Sequence, residues 1–287
     1  MKHSEAISRV IELSGNSSLS FPDKANQLEA ALSDCSVEDI LEHLDYAGVI
    51  PECFEHDSTE EKLYAKYCDA LLARALTELG LRAEMIAERS GAADVRANAD
   101  AYQLVGDAKA FRLSRTAKNQ KDFKVGALNE WREGADYACL VAPLYQYPST
   151  NSQIYSQAIQ YNVTLLSYTH IVFMLRSQQV NQHSLVELWQ VGQNLRTGQG
   201  ISQRASSYWS AILGVVLKIT GKLGADWENA IEAAKVPLRE QAREQIRYWE
   251  EERKRLQALD QKSAVKQLIK ALKIDTKIQV VRRTAGM

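Results

Sequence analysis

The stretch DVRANADAYQLVGDAKAFRLSRTAKNQKDFK (Asp94–Lys124) decides how this chain is read. Its first half alternates apolar and polar side chains in the manner of strands, over Ala92–Ala97 and again from Tyr102 to Leu113. Residues two apart on a strand share a face, so Asp107 and Lys109 project side by side, a carboxylate and an ammonium aimed at one spot. Asp94 lies thirteen residues before Asp107, in the preceding strand, and a hairpin would bring the two carboxylates together. Carboxylates so placed repel unless a divalent cation sits between them. Mg²⁺ takes one or two carboxylates plus waters and phosphate oxygens, which suits the pair. The lysine can polarise or deprotonate a metal-bound water while offsetting charge building on a phosphate. Many Mg²⁺-dependent nucleases carry this arrangement, although Asp-x-Lys alone also occurs on exposed strands without any chemistry.

The second half supplies what the pair lacks. From Lys109 to Lys124 a basic residue falls at every third position: Lys109, Arg112, Arg115, Lys118, Lys121 and Lys124. Only Asp122 opposes these six, giving a local +5 in a chain whose formal charge is −1. Ser114, Asn119 and Gln120 lie among them. Lys and Arg neutralise phosphates, while Asn, Gln and Arg can bond base edges bidentately in the major groove. A solvated lysine-rich loop is the plainer explanation. Its abutment on Asp-x-Lys favours a phosphate-binding surface beside a metal.

Outward from this stretch, YACLVA (Tyr137–Ala142) and Val163–Tyr168 are continuous apolar runs, the look of strands covered on both faces. A helix from about Ser152 to Gln160 separates them, which indicates a mixed α/β core. Upstream come short helices, with Pro22–Asp23 opening one and Ser36 another. Ser58-Thr59-Glu60-Glu61 has the form of a capping box and opens a helix to about Leu79. Beyond Ile171 everything reads helical, with Pro237 interrupting the charged stretch Trp227–Leu272. The expected organisation is a helical region over 1–50, a catalytic and DNA-recognition core over 51–175 and a helical region over 176–287, together one compact unit. Cys139 reads as a core residue, His56 and His170 as surface or core histidines rather than catalysts, and Trp131, Trp189, Trp209, Trp227 and Trp249 mostly as packing anchors.

Composition removes other classes. The 287 residues carry 35 Lys and Arg against 36 Asp and Glu, with 45% apolar side chains, 14 Gly and 5 Pro. That is enough apolar material for a core and too little Gly and Pro for disorder or collagen. No apolar run approaches the roughly 18–20 residues of a membrane span, and MKHSEAISRV lacks the apolar segment of a secretory signal. Four scattered cysteines without a CxxC pair fit a reduced cytoplasmic compartment better than disulfides or zinc.

The stretch DAKAFRLSRTAKNQKDFKVGALNEWR (Asp107–Arg132) resembles type II restriction endonucleases of the HindIII family. The likeness continues through DYACLVAPLYQYPSTNSQIY (Asp136–Tyr155), and upstream through GVIPECFEHDSTEEKLYAK (Gly48–Lys66) and GAADV (Gly91–Val95). It covers residues 45–170 well and the remainder in helical character only. The resemblance implies a PD-(D/E)xK fold, a mixed sheet flanked by helices with helical N-terminal and C-terminal regions. It also implies Mg²⁺-dependent cleavage of both strands of duplex DNA at an AAGCTT-like palindrome, after the first A. It further implies a homodimer and a cognate DNA methyltransferase acting on the same site, with no membrane partner.

Carried over residue by residue, Asp107 and Lys109 fill the second acidic position and the lysine of the motif. Asp94 fills the first, with Ala93 where the general pattern has proline. Glu88 is the nearest candidate for a glutamate that the family uses shortly before this strand. Asp122 is a further candidate metal ligand, with pairing to Lys121 or Lys124 as its structural alternative. The expected DNA-binding set is Arg112, Ser114, Arg115, Lys118, Asn119, Gln120, Lys121 and Lys124. Two other functions are weighed: a DNA-binding module whose nuclease site has decayed, against which intact Asp94, Asp107 and Lys109 speak, and a repair or junction nuclease with the same core.

Overall fold

Serine residues open three of the four helices that precede the sheet. In the computed structural model, which describes residues 1–86, 93–115, 120–177 and 179–284, these are α1 (His3–Gly15), α2 (Phe21–Ser33), α3 (Val37–Tyr46) and α4 (Thr59–Glu78). The hydroxyls of Ser20, Ser36 and Ser58 accept the backbone N–H of Asp23, Asp39 and Glu61 and so satisfy amides that no helical carbonyl reaches. The capping box expected at Ser58 is only half formed. The Glu61 carboxylate instead accepts from the Asp57 amide (2.7 Å) and from Arg112 (2.8 Å).

Five strands follow, in spatial order β1 (Arg82–Met85), β2 (Val95–Asn98), β3 (Gln103–Ala108), β4 (Tyr137–Ala142) and β5 (Val163–Ser167). The β1–β2 and β2–β3 pairs are antiparallel and the β3–β4 and β4–β5 pairs parallel. Short helices α5 (Gln120–Phe123) and α6 (Val125–Glu130) lie between β3 and β4, and α7 (Gln153–Tyr161) between β4 and β5. Parallel neighbours need such crossovers. Strands β4 and β5 are buried almost throughout, as their unbroken apolar runs imply.

Two expectations about elements need correction, and one strand has no counterpart in the sequence pattern. Strand β3 stops at Ala108 rather than Leu113, because the chain changes partner: the Lys109 amide still donates to Val141 O (2.7 Å), but Phe111 exchanges bonds with Gly48 and Ile50. Strand β1 is too short and too polar, RAEM, to show in the pattern. Pro237 does not interrupt its helix. After α8 (Tyr168–Leu175), α9 (Leu185–Trp189), α10 (Val191–Gly198) and α11 (Ala205–Thr220), helix α12 runs unbroken over Gly224–Gln257. The amide that Pro237 lacks would have bonded the carbonyl of Ala233, an exposed residue whose backbone water can solvate. The break comes instead at Leu259, after which Asp260 caps α13 (Gln261–Ala271), followed by α14 (Ile274–Thr284).

The chain divides into two units, Met1–Gln241 and Ala242–Met287. The first holds the core, with α4 packed on the sheet. Gly106 in β3 lets it close: a Cβ there would stand 3.2 Å from Leu72 of α4 and 3.4 Å from the Cys139 sulfur of β4. No helix among the described residues is long and apolar enough to cross a membrane.

Candidate active site

The β2–β3 hairpin brings its acids together as alternation implies. Val95 pairs with Gly106, so the register carried one step further sets Asp94 opposite Asp107. Asp94 itself sits in the bend just before β2, its carbonyl accepting the Ile86 amide at 2.8 Å. Asp107 is 1% exposed, and Lys109 forms an ion pair with its Oδ2. That oxygen receives no well-directed hydrogen bond, which leaves coordinating capacity on a buried carboxylate.

A third acid arrives from the helix. Asp69, buried in α4, accepts the Ala108 amide at 3.3 Å and so ties α4 to the end of β3. One carboxylate oxygen from each of Asp69, Asp94 and Asp107 lies within 4.8 Å of the others. Lys66, one turn earlier on α4, is ion-paired with Asp94 and stands 3.4 Å from Asp69. Three carboxylates and two ammoniums leave one formal negative charge.

Electrostatics follow from this crowding. Burial, then repulsion from Asp94, pushes Asp69 well above the usual carboxylate range, against the pull of Lys66. Burial alone would lower both lysines. Asp69 and Asp94 outweigh it at Lys66, and Asp107 outweighs it at Lys109, so both are raised and stay protonated. A hard cation suits the three converging carboxylates, one of which carries an oxygen without a directed hydrogen bond. A second acidic group, His56, Asp57 and Glu61, is largely exposed, and its Glu61 is already taken by Arg112.

The basic segment divides by what its members touch. Arg112 turns inward, its guanidinium bonding the carbonyls of Pro51 (3.1 Å) and Glu52 (3.4 Å) and the Glu61 carboxylate. The Ser114 amide donates to buried Glu52 at 3.1 Å, while Gln146 donates to the Arg115 carbonyl at the same distance. These bonds hold the start of the segment to the core. Arg115 reaches Asp122 at 2.8 Å, and Asp122 is not among the three converging carboxylates. Lys121 and Lys124 are exposed, the latter with its ammonium 5.8 Å from the Trp131 ring centre. Glu88, Lys118 and Asn119 lie outside the described residues, as does the side chain of Gln120.

His170 is fully buried against Trp209 and Trp227, and burial holds its imidazole neutral, down at about 3. It is a core residue, one of the two places open to it from sequence, and Cys139 lies in the core as expected. Trp189, Trp131, Trp209 and Trp227 pack in or against the core, but Trp249 is 48% exposed and does not. Asp69 and Lys66 escaped the sequence reading. Their signal was two charges within YAKYCDALLA (Tyr64–Ala73), an otherwise apolar helical stretch.

A sequence model of the HindIII restriction endonuclease family matches residues 3–285. The Type II restriction enzyme HindIII of Haemophilus influenzae is 33% identical over 266 residues, an alignment covering 91% of this chain and 88% of that one.

Proposed function

The chain belongs to the HindIII restriction endonuclease family of type II restriction enzymes, and from there we propose its substrate and chemistry: hydrolysis of phosphodiester bonds in both strands of duplex DNA at AAGCTT or a close variant, after the first A, with Mg²⁺. The observation that carries the chemistry is the convergence of Asp69, Asp94 and Asp107 beside Lys109. Asp94 and Asp107 are the ligands of the ion in this reading, joined by Asp69. When bound, a divalent cation supplies Lewis acidity at the scissile phosphate and lowers the pKa of a nearby water.

The chain's own residues do the rest. Lys109, ion-paired with Asp107, is placed to donate to a phosphate oxygen and offset the charge that develops there. Lys66 holds Asp69 and Asp94 in place between acts of binding. Arg112 acts inward, anchoring the segment that presents Arg115, Lys118 and Lys121 to phosphates and Asn119 and Gln120 to base edges. Lys124 and Ser114 flank that surface. Glu88 and Asp122 are proposed as supporting acids.

A palindrome presents two identical half-sites, and one catalytic centre per chain calls for two chains related by the same two-fold axis. Exposed Trp249, Leu256, Leu268 and Leu272 support a homodimer, because they contribute nothing to the chain's own core. A nuclease of this kind in the cytoplasm needs a methyltransferase to mark the same sequence in its own genome. Digestion of plasmids with and without AAGCTT tests the reading. Discrete fragments with ends mapping after the first A, abolished by EDTA, are expected. A smear, or cleavage that persists in EDTA, would overturn it.

A further inference from the structure

The charge of this protein is unevenly placed. Residues Ala242–Met287 hold twelve Lys and Arg against six Asp and Glu, a net +6, while the other 241 residues carry −7. Within this unit, Lys262, Lys266 and Lys270 recur at four-residue spacing along α13, and Lys273 and Lys277 continue the run. At 3.6 residues per turn the three α13 lysines fall within an arc of about 80°. All five are exposed, and among the described residues no ion pair engages them. By contrast, Arg255 on α12 is paired with Glu252. Val265, Leu268, Ile269 and Leu272 form an apolar stripe beside the lysine row, so a second copy covering that stripe leaves the lysines facing outward.

We propose that the Ala242–Met287 unit is a second DNA-contacting element, in which the α13 lysine row neutralises backbone phosphates of the duplex. Each lysine lies about 6 Å further along the helix than the last, so three span about 12 Å. That is the axial length of three to four phosphates on one strand. Ammoniums on flexible stems read no bases, so this element strengthens grip on any sequence and leaves discrimination to the strand cluster and its neighbouring loop. The inference rests on the proposed action on duplex DNA.

The test uses the full chain with Lys262→Gln, Lys266→Gln and Lys270→Gln combined, binding labelled duplexes with and without AAGCTT across a salt series, Mg²⁺ withheld. Both duplexes are expected to bind on the order of 10²-fold more weakly at 0.1 M salt, with the log–log salt slope less steep by about 2.7. The corresponding triple Lys→Arg variant is expected to keep the wild-type slope. If the Gln triple loses helical circular dichroism, Lys266→Gln alone decides, with a slope change of about 0.9. An unchanged slope overturns the proposal, as does a loss confined to the AAGCTT duplex. Wild-type protein that binds neither duplex would instead overturn the nuclease reading itself.

Discussion

Asp107 and Asp69 occupy different places in one cluster, and single substitutions separate their parts. Asp107→Asn keeps the shape but removes charge from the buried oxygen that lacks a directed hydrogen bond. Cleavage is expected to fall on the order of 10³-fold or more, while binding of the cognate duplex changes by about threefold at most. Single-turnover cleavage and filter binding on the same preparation measure both, and normal turnover would remove Asp107 from the site. Asp69→Asn retains an oxygen for the Ala108 amide, so the fold is expected to persist. The variant is expected to need about 10–100-fold more Mg²⁺ for half-maximal cleavage, with full rate restored at saturation. An unshifted Mg²⁺ midpoint would make Asp69 a structural acid only.

At the scale of elements, the site depends on how closely α4 approaches β3. Gly106 sets that distance, because its missing side chain makes room for Leu72 on one side and Cys139 on the other. Gly106→Val is expected to destabilise the protein by about 2 kcal/mol, the usual cost of overpacking a filled core. It should also weaken cleavage, since α4 carries Asp69 and Lys66. Urea unfolding gives the first quantity and initial rates the second. A variant of wild-type stability would mean that α4 does not pack against Gly106. The hairpin register is the second device: Val95 opposite Gly106 fixes Asp94 against Asp107, and a one-residue slip would send one acid to the other face.

For the whole molecule, two quantities report on assembly and burial. Light scattering across working concentrations is expected to give twice the 32.2 kDa chain mass without DNA. A species that stays monomeric even on a cognate duplex would leave sequential nicking by one subunit. The pH profile of stability follows from buried imidazoles. His170 and His3 are held down by burial to about 3 and about 4, and His43 is lowered for the same reason. Their folded pKa values lie below the unfolded value near 6.5, so unfolding takes up protons below that pH. Their contribution is therefore complete above pH 6.5 and declines as pH falls toward 4. His170 alone is expected to cost on the order of 2 kcal/mol between pH 6.5 and 5. Urea midpoints that stay level over this range would show that the imidazole is charged in the folded state.

Asp94, Asp107 and Lys109 were legible in the sequence because local periodicity governs them. Alternation sets the face of each side chain, and thirteen residues suffice for a hairpin to bring both acids to one point. The apolar runs of β4 and β5 declared themselves for the same reason, since a strand buried on both faces must be apolar along its whole length. Asp69 and Lys66 could not be read this way. They sit 38 and 41 residues before Asp107, on a helix whose own period says only that one face is buried. Which strand that face covers depends on the packing of α4 over Gly106, a contact with no local signature. Arg112 shows the same limit from the other side: in sequence it belongs to a basic row, yet the fold turns it inward to Pro51, Glu52 and Glu61. Periodicity therefore determined which acids share a strand face, while long-range packing decided which further acid joins them and which cations face the solvent.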